Sequence, residues 1–229
     1  MTNLFNSDAY TFQLRQQYSL NASPDTAFWM EKYMKNKFKA FGLKRPQRDV
    51  INKEFIADYG FPPQDKLFEV VNMLWQMPER EMQYYAMELL YRFRKQVKKE
   101  DICFYENIIT QKSWWDTIDY IAVNLVGNYF KNHSEQIPLI TSQWMASGNM
   151  WLQRICMLFQ LKYKKETDYE LLFSFIKQLN TSKEFFIQKA IGWALREYAK
   201  TNPNEVINFV NNTPLKPLSK REALRRIKT

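Results

Sequence analysis

The chain has 229 residues, of which 45% are hydrophobic and 16% aromatic, a composition that excludes intrinsic disorder and suits one domain over residues 1–229. Its 33 Lys and Arg residues outnumber 24 Asp and Glu residues, and the net charge of +9 favours a polyanionic partner such as nucleic acid. The first residues lack the pattern of a secretory signal and no run approaches the roughly 18 apolar residues of a membrane span, so we expect a cytoplasmic protein with no membrane partner.

Helix start and stop signals recur along the whole chain. Ser23-Pro24 predicts a helix start, with the helix running to Gly42, and Pro46 to Tyr59 predicts a helix that stops at Gly60. Three pairs with capping-box spacing predict later helix starts: Thr167/Glu170, Thr181/Glu184 and Ser219/Glu222. No segment has a convincing strand pattern, so the sequence predicts an all-α fold of antiparallel helical pairs.

A weak internal repeat has a step of 35 residues, which leads from Gln83 to Ile118, Gln153 and Gln188. Apolar residues recur in phase three positions after these anchors, at Ala86, Ile121, Cys156 and Ile191. A period of this size is typical of stacked two-helix units. We therefore predict a superhelical solenoid of HEAT-like or ARM-like repeats.

Polar residues directly follow the repeat anchors. They are Tyr84, Asp119, Arg154 and Lys189. If the register holds, these side chains occupy equivalent positions on successive helices and line one groove. The inner surface of a solenoid is its usual binding surface, so this line predicts a binding site.

Trp115 and Asp119 are four residues apart, which places them on one face of a helix. A carboxylate beside an aromatic face suits a reaction that builds positive charge on a sugar. The alternative is structural: Trp114 and Trp115 belong to the core, and Asp119 pairs with a nearby cation. The residue pattern leaves both possibilities open.

Arg154 follows Asp119 by one repeat step, where it would bind a phosphate or pair with the Asp119 carboxylate. Further along, Trp193 and Arg196 are three residues apart on one helical face. Gly192, within the same predicted helix, indicates a close approach either of a ligand or of another helix.

Basic and aromatic residues alternate in the segment Tyr33-Met34-Lys35-Asn36-Lys37-Phe38-Lys39. Such a segment would contact DNA phosphates without reading sequence, although a solvated helix face has the same pattern. Cys103 and Cys156 lie in apolar surroundings and are predicted to be reduced and buried. With His133 as the only histidine, no zinc site is expected, and no dinucleotide or P-loop motif predicts a cofactor.

Several segments resemble the AlkD-type, HEAT-like-repeat DNA alkylation-repair glycosylases. The resemblance covers residues 10–228 with little shift in spacing. It is carried by four segments: Tyr33-Met34-Lys35-Asn36, Lys112-Ser113-Trp114-Trp115-Asp116, Trp151-Leu152-Gln153-Arg154 and Ser182-Lys183-Glu184-Phe185-Phe186-Ile187-Gln188-Lys189-Ala190-Ile191-Gly192-Trp193.

The resemblance implies hydrolysis of the N-glycosidic bond of cationic alkylated purines, chiefly 3-methyladenine and 7-methylguanine, in duplex DNA. It implies that Asp119 is the catalytic carboxylate and that Trp115 and Trp193 contact the deoxyribose and backbone of the lesion. The residues that it implies to support the DNA are Tyr33, Arg154 and Arg196, to which the repeat register adds Lys189 and the basic segment adds Lys35.

A positively charged purine leaves without protonation, so one carboxylate suffices to stabilise the sugar cation and orient water. No lysine nucleophile is needed, and we expect a monofunctional, monomeric glycosylase without a cofactor. The alternatives are a non-catalytic HEAT-repeat module that binds bent or branched DNA, and a scaffold for protein interactions.

Overall fold

The computed structural model describes residues 5–226, which are helical over most of their length. Within this range no strand forms, and the one isolated bridge joins Lys39 to Glu79. The chain divides between Gln96 and Val97 into two compact units. None of the helices in the described range combines the length and apolar character needed to cross a membrane. An all-α fold, as predicted, is confirmed.

The first unit contains the helices α1 (Ser7–Leu20), α2 (Pro24–Tyr33), α3 (Arg45–Tyr59), α4 (Leu67–Gln76) and α5 (Arg80–Phe93). Helix α4 packs against α1 and α5, and α1 also packs against α3. Their apolar faces meet in a core that includes Leu14, Phe55 and Leu74. Within it the hydroxyls of Tyr10 and Tyr85 share a hydrogen bond of 2.8 Å.

The second unit contains α6 (Ile102–Thr110), α7 (Trp115–Tyr120), a π-helical segment (Ile121–Val126), α8 (Gly127–Asn132), α9 (Ile137–Ala146), α10 (Met150–Leu158), α11 (Tyr169–Leu179), α12 (Phe185–Tyr198), α13 (Pro203–Asn212) and α14 (Pro217–Leu224). Helix α10 packs against α6, α7, α9, α11 and α12, and α12 packs extensively against α14. Helices α7 and α12 therefore both lie against α10.

The predicted stop at Gly60 is confirmed, since α3 ends at Tyr59 and Gly60 has a positive φ of 69°. The prediction for the preceding helix was wrong: α2 ends at Tyr33 rather than running to Gly42. Lys35 and Asn36 adopt left-handed φ values of 59° and 55°, which stops the helix.

The path of the chain after α2 is fixed by Glu81, a buried residue of α5. Its carboxylate accepts backbone hydrogen bonds of 2.9–3.1 Å from Phe41, Gly42 and Leu43. These N–H groups replace the water that burial removes from the carboxylate. This long-range contact holds residues 41–43 in a non-helical path, so the chain is not helical up to Gly42 as the local pattern predicted.

The three predicted capping boxes were wrong. Helix α11 is capped one residue later than predicted, by Asp168, whose side chain accepts from the Leu171 amide at 2.9 Å. Thr181 and Glu184 precede α12, while Ser219 and Glu222 lie inside α14. Both side chains bind α12 instead of their own backbone: Glu222 accepts from Arg196, and Ser219 donates to the Gln188 carbonyl.

The apolar positions of the 35-residue pattern point into the protein. Ala86, Ile121, Cys156 and Ile191 are all fully buried. Cys156 was predicted to be buried, and this is confirmed, whereas Cys103 is exposed and its prediction was wrong. Cys103 faces solvent because α6 buries the neighbouring Ile102 and Tyr105 on its other face.

Three anchors of the pattern make the same type of contact. The side-chain amide of Gln83 donates to the carbonyls of Leu74, Trp75 and Met77, at 3.2, 3.2 and 2.8 Å. The amides of Gln153 and Gln188 donate to the Met145 and Ser182 carbonyls at 3.0 and 3.1 Å. Each glutamine therefore binds carbonyls in the last turn of the preceding helix or in the segment that follows it.

Candidate active site

Asp119 lies in the last turn of α7, directly before the π-helical segment that begins at Ile121. Its side chain is 18% exposed, so the carboxylate is largely buried but open on one side. Trp115 begins the same helix one turn earlier and is half-buried. The predicted placement of these two residues on one helical face is confirmed by their spacing within a single helix.

Arg154 on α10 binds the Asp119 carboxylate through two parallel hydrogen bonds. Its Nε lies 2.7 Å from Oδ1 and its Nη2 lies 2.9 Å from Oδ2. The remaining terminal nitrogen, Nη1, donates to the backbone carbonyl of Phe186 on α12. The Arg154 side chain is 5% exposed, and each of its three guanidinium nitrogens has a protein acceptor. Of the two roles considered for Arg154, the structure shows the ion pair.

The electrostatic state of Asp119 reflects two opposed effects. Burial raises the pKa of its carboxyl above the ordinary aspartate value, the Arg154 guanidinium opposes that rise, and nearby Asp116 adds to it. Because both carboxylate oxygens accept hydrogen bonds from Arg154, the pair has the geometry of an ionised carboxylate with a guanidinium. The fold therefore keeps an anion at a position where burial opposes ionisation.

An anion held in this way is suited to stabilising positive charge. Each carboxylate oxygen has two lone pairs, and Arg154 occupies only one on each, so Asp119 retains acceptor capacity on its exposed side. Since the surroundings are partly dry, the field of the carboxylate is screened less than it is in water. A cation or a polarised water on that side would be stabilised without rearrangement of the protein.

An aromatic cluster flanks the ion pair. The ring of Trp114 lies 5.9 Å from that of Trp151 and 5.2 Å from that of Phe186, and the last two rings are 5.1 Å apart. The Arg154 guanidinium lies 5.9 Å from the Phe186 ring. This cluster was not predicted as a unit from the sequence. The sequence feature that could have predicted it is the 35-residue separation of Trp151 and Phe186, which equals the repeat step.

Trp193 lies on α12, between Lys189 and Arg196, and is half-buried. The spacings of four and three residues place all three on one face of the helix. Lys189 and Arg196 both bind Glu222 of α14, at 3.0 and 2.6 Å. Glu222 was predicted only as part of a capping box, because no local pattern indicates a partner 26 to 33 residues away.

The two predicted DNA-binding residues of the first unit end α2 or follow it. Tyr33 is 70% exposed, and Lys35 is exposed in a left-handed conformation. Two exposed aromatic residues of the same helix, Phe28 and Trp29, were not predicted as binding residues. Their rings lie 4.2 and 5.4 Å from the Lys32 ammonium. The sequence feature that could have predicted them is an aromatic pair in a helix that has no apolar stripe.

Among residues 5–226 no cluster of three or more His, Cys, Asp or Glu side chains is arranged to hold a metal ion. The groups present at and beside the ion pair are a partly buried carboxylate, a guanidinium and indole rings.

Together these features define a helical protein with a partly buried carboxylate and a basic, aromatic-rich surface. A sequence model of the family described as DNA alkylation repair enzyme matches residues 14–227, and the chain belongs to this family. No curated protein matches the chain.

A solved structure described as a predicted DNA alkylation repair enzyme from Enterococcus faecalis is similar to this chain, with 33% sequence identity and a TM-score of 0.84. The match covers 91% of this chain and 97% of that one. Membership of the family makes this chain one of a group of DNA repair enzymes.

Proposed function

We propose that the protein is a monofunctional DNA glycosylase that hydrolyses the N-glycosidic bond of cationic alkylated purines, chiefly 3-methyladenine and 7-methylguanine, in duplex DNA. The observation that carries this proposal is the Asp119 carboxylate, kept ionised by Arg154 and open on one side. Membership of a DNA alkylation repair family supports DNA as the substrate of this chemistry.

The proposed reaction needs no general acid. A cationic purine departs as a neutral base when the glycosidic bond breaks, and the deoxyribose takes on oxocarbenium character. The Asp119 carboxylate stabilises this developing charge and orients the water that attacks the anomeric carbon. As the water adds, it loses one proton to the Asp119 carboxylate, which passes it to solvent, and the products are the neutral purine, an abasic site and an intact strand.

The two tryptophans complete the proposed site. The Trp115 indole, one helical turn from Asp119, would contact the deoxyribose and stabilise its positive charge by cation–π attraction. Trp193 on α12 would contact the sugar or backbone of the same nucleotide. Arg154 would act through Asp119 by fixing its orientation and charge.

Phosphate contacts are proposed for Tyr33, Lys35, Lys189 and Arg196. The net charge of +9 supports binding to duplex DNA, and such contacts would set affinity without reading sequence. We propose that the protein acts as a monomer and as one functional domain.

We also infer that the helical pairs are HEAT-like repeats. Three features support this: the shared burial of positions 35 residues apart, the shared contacts of Gln83, Gln153 and Gln188, and the contact between Asp119 and Arg154, which are one step apart. In repeat proteins each unit packs on its neighbours, so equivalent positions meet in this way.

The direct test is to incubate the purified protein with duplex DNA treated with a methylating agent and to separate the released bases by chromatography. We expect release of 7-methylguanine and 3-methyladenine, with abasic sites and without strand breaks until the DNA is treated with alkali. The Asp119→Asn variant is the control for a contaminating enzyme. If the protein binds the DNA and releases no base, the non-catalytic DNA-binding alternative replaces the proposal.

A further inference from the structure

Glu222 of α14 lies between two cations of α12. Its Oε1 is 3.0 Å from the Lys189 ammonium, and its Oε2 is 2.6 Å from Nη1 of Arg196. The same Nη1 also donates to the backbone carbonyl of Glu222 at 3.1 Å. Hydrogen bonds from Lys189 and Arg196 hold the pKa of the Glu222 carboxyl below its usual range. One carboxylate thus bridges two side chains that are two turns apart on one helical face.

The position of this carboxylate is fixed by the packing of α14 on α12. An ideal Cβ built on Gly192 would lie 2.4 Å from the Glu222 Cβ and 3.0 Å from the Ser219 carbonyl oxygen, so only glycine admits this approach. The Ser219 hydroxyl also donates to the Gln188 carbonyl at 3.0 Å. The tight crossing considered for Gly192 is therefore a helix–helix contact, and it places Glu222 against α12.

Arg196 keeps free donors after binding Glu222. Within the described range, residues 5–226, its Nε and Nη2 have no protein acceptor, and its side chain is 20% exposed. Nε and Nη2 form one edge of the guanidinium and can bind two oxygens of a phosphate. Arg154 differs, because all three of its nitrogens are engaged within the protein.

Helix α12 also connects these cations to the candidate active site. The carbonyl of Phe186, in the first turn of α12, accepts a hydrogen bond from the Arg154 guanidinium that holds Asp119. Lys189 follows Phe186 by three residues, and Trp193 lies between Lys189 and Arg196. A phosphate bound by the two cations would therefore be fixed relative to the Asp119 carboxylate.

We propose that Glu222 is a positioning residue, which holds Lys189 and Arg196 as a two-cation clamp for one backbone phosphate of the damaged strand. This inference rests on the proposed function. The carboxylate has two effects: it fixes the free edge of Arg196 in one orientation, and it lowers the local charge from two positive charges to one. The first favours DNA held in one register, and the second weakens binding that depends on charge alone.

Glu222→Gln separates these effects, because the amide is nearly isosteric, carries no charge and cannot bridge two cations. Binding is measured by fluorescence anisotropy over a salt series, with two duplexes of one sequence. One is undamaged, and the other carries a tetrahydrofuran analogue of an abasic site. We expect affinity for the undamaged duplex to be unchanged or to rise by up to about 3-fold, because the local positive charge increases. Affinity for the analogue should fall by roughly 10-fold, the equivalent of one charge-assisted hydrogen bond.

Glu197→Gln is the matched control. Glu197 lies on the same helix and pairs with Lys200 at 2.7 Å, so its replacement changes the net charge equally without touching Lys189 or Arg196. Its ratio of analogue to undamaged affinity should equal that of the parent protein. Glu222→Asp keeps the charge but shortens the side chain, and we expect its ratio to fall as well. Glu222→Asp also carries the test if Glu222→Gln does not fold.

A ratio that stays at the parental value in the folded Glu222 variants would overturn the clamp, even if both affinities move together. Neither measurement depends on base excision, so the result is separable from the proposed activity. A parent protein that does not prefer the abasic analogue also overturns the clamp, because a clamp for the damaged strand requires that preference. A parent that prefers it, with variants that prefer it equally, contradicts only the role of Glu222.

Discussion

Arg154 and Asp119 lie one 35-residue step apart in the sequence, and the guanidinium of the first donates two parallel hydrogen bonds to the carboxylate of the second. Arg154 is also bound to α12 through the Phe186 carbonyl. One side chain thus joins α7, α10 and α12 at the carboxylate. This arrangement gives Asp119 a fixed direction and a fixed charge, which are the two properties that electrostatic catalysis requires.

Asp119→Asn should separate catalysis from DNA binding. The amide preserves size and can still accept a hydrogen bond from Arg154, but it carries no charge to face an oxocarbenium ion. We expect single-turnover excision of 7-methylguanine to slow by roughly 10²-fold or more, as when one well-placed stabiliser is removed. Affinity for DNA should change little or rise, because an anion opposes the approach of phosphates.

Asp116→Asn is the control for this substitution, since Asp116 is on the same helix and its loss changes the net charge equally. We expect it to leave the excision rate near that of the parent. An Asp119→Asn variant that is folded and excises at the parental rate would show that Asp119 is only a partner in an ion pair.

Arg154→Met should destabilise the fold as well as the site. It leaves Asp119 largely buried without its cation and the Phe186 carbonyl without its donor. Loss of one partner from a buried ion pair costs about 3 kcal/mol or more of unfolding free energy, which urea denaturation measures. The double variant Asp119→Asn with Arg154→Met should regain part of that loss, because no charge is then left alone.

Arg45→Met provides the comparison for an exposed pair. Arg45 lies 3.7 Å from Asp49 on the surface of α3, where an ion pair contributes less than about 1 kcal/mol. Equal losses for Arg154→Met and Arg45→Met would argue against a structural role for the Arg154 contacts.

The contact between Asp119 and Arg154 could be predicted, because the two residues have the same 35-residue spacing as the buried positions of the repeat. Glu222 could not, since its role depends on the approach of α14 to Gly192. Nor could the non-helical path of residues 41–43, because Glu81 on another helix binds their backbone N–H groups. Local patterns carry helix periodicity and repeat spacing, whereas a carboxylate that reaches another helix leaves no local signal.

The anchor glutamines allow a test of the inferred repeats. Gln83→Glu would place carboxylate oxygens against three carbonyl oxygens at a fully buried position. We expect it to lower the free energy of unfolding by at least about 2 kcal/mol, because a buried donor is replaced by an acceptor or a charge. Gln153→Glu and Gln188→Glu should act in the same direction and less strongly, since each faces one carbonyl at a half-buried position.

Gln178→Glu serves as the control because Gln178 is exposed and bonds only within α11. Its effect on urea denaturation should stay within about 0.5 kcal/mol. Neutral effects of Gln153→Glu and Gln188→Glu would remove the structural equivalence of the anchors and weaken the inference of HEAT-like repeats.

The pH dependence of activity should report the burial of Asp119. The proposed mechanism requires the carboxylate, and burial raises the pKa of this group above its ordinary value of 3.8. A methylated purine with a fixed positive charge does not titrate in this range. We therefore expect the single-turnover excision rate of the parent to fall as pH decreases, with a midpoint above 3.8.

The same shift makes a prediction about stability, with a definite sign. Because the folded-state pKa of Asp119 is higher than the unfolded value, folding favours the protonated carboxyl, and its contribution is fully present below the unfolded pKa. That contribution is lost as pH rises through the folded pKa of Asp119. Above this pKa, ionisation of Asp119 no longer makes stability depend on pH. Relative to Asp119→Asn, the parent should therefore lose stability over this acidic window. Urea denaturation of both proteins over a pH series measures the difference in their free energies of unfolding. If the parent instead became more stable than Asp119→Asn as pH rises, Arg154 rather than burial would dominate the pKa of Asp119.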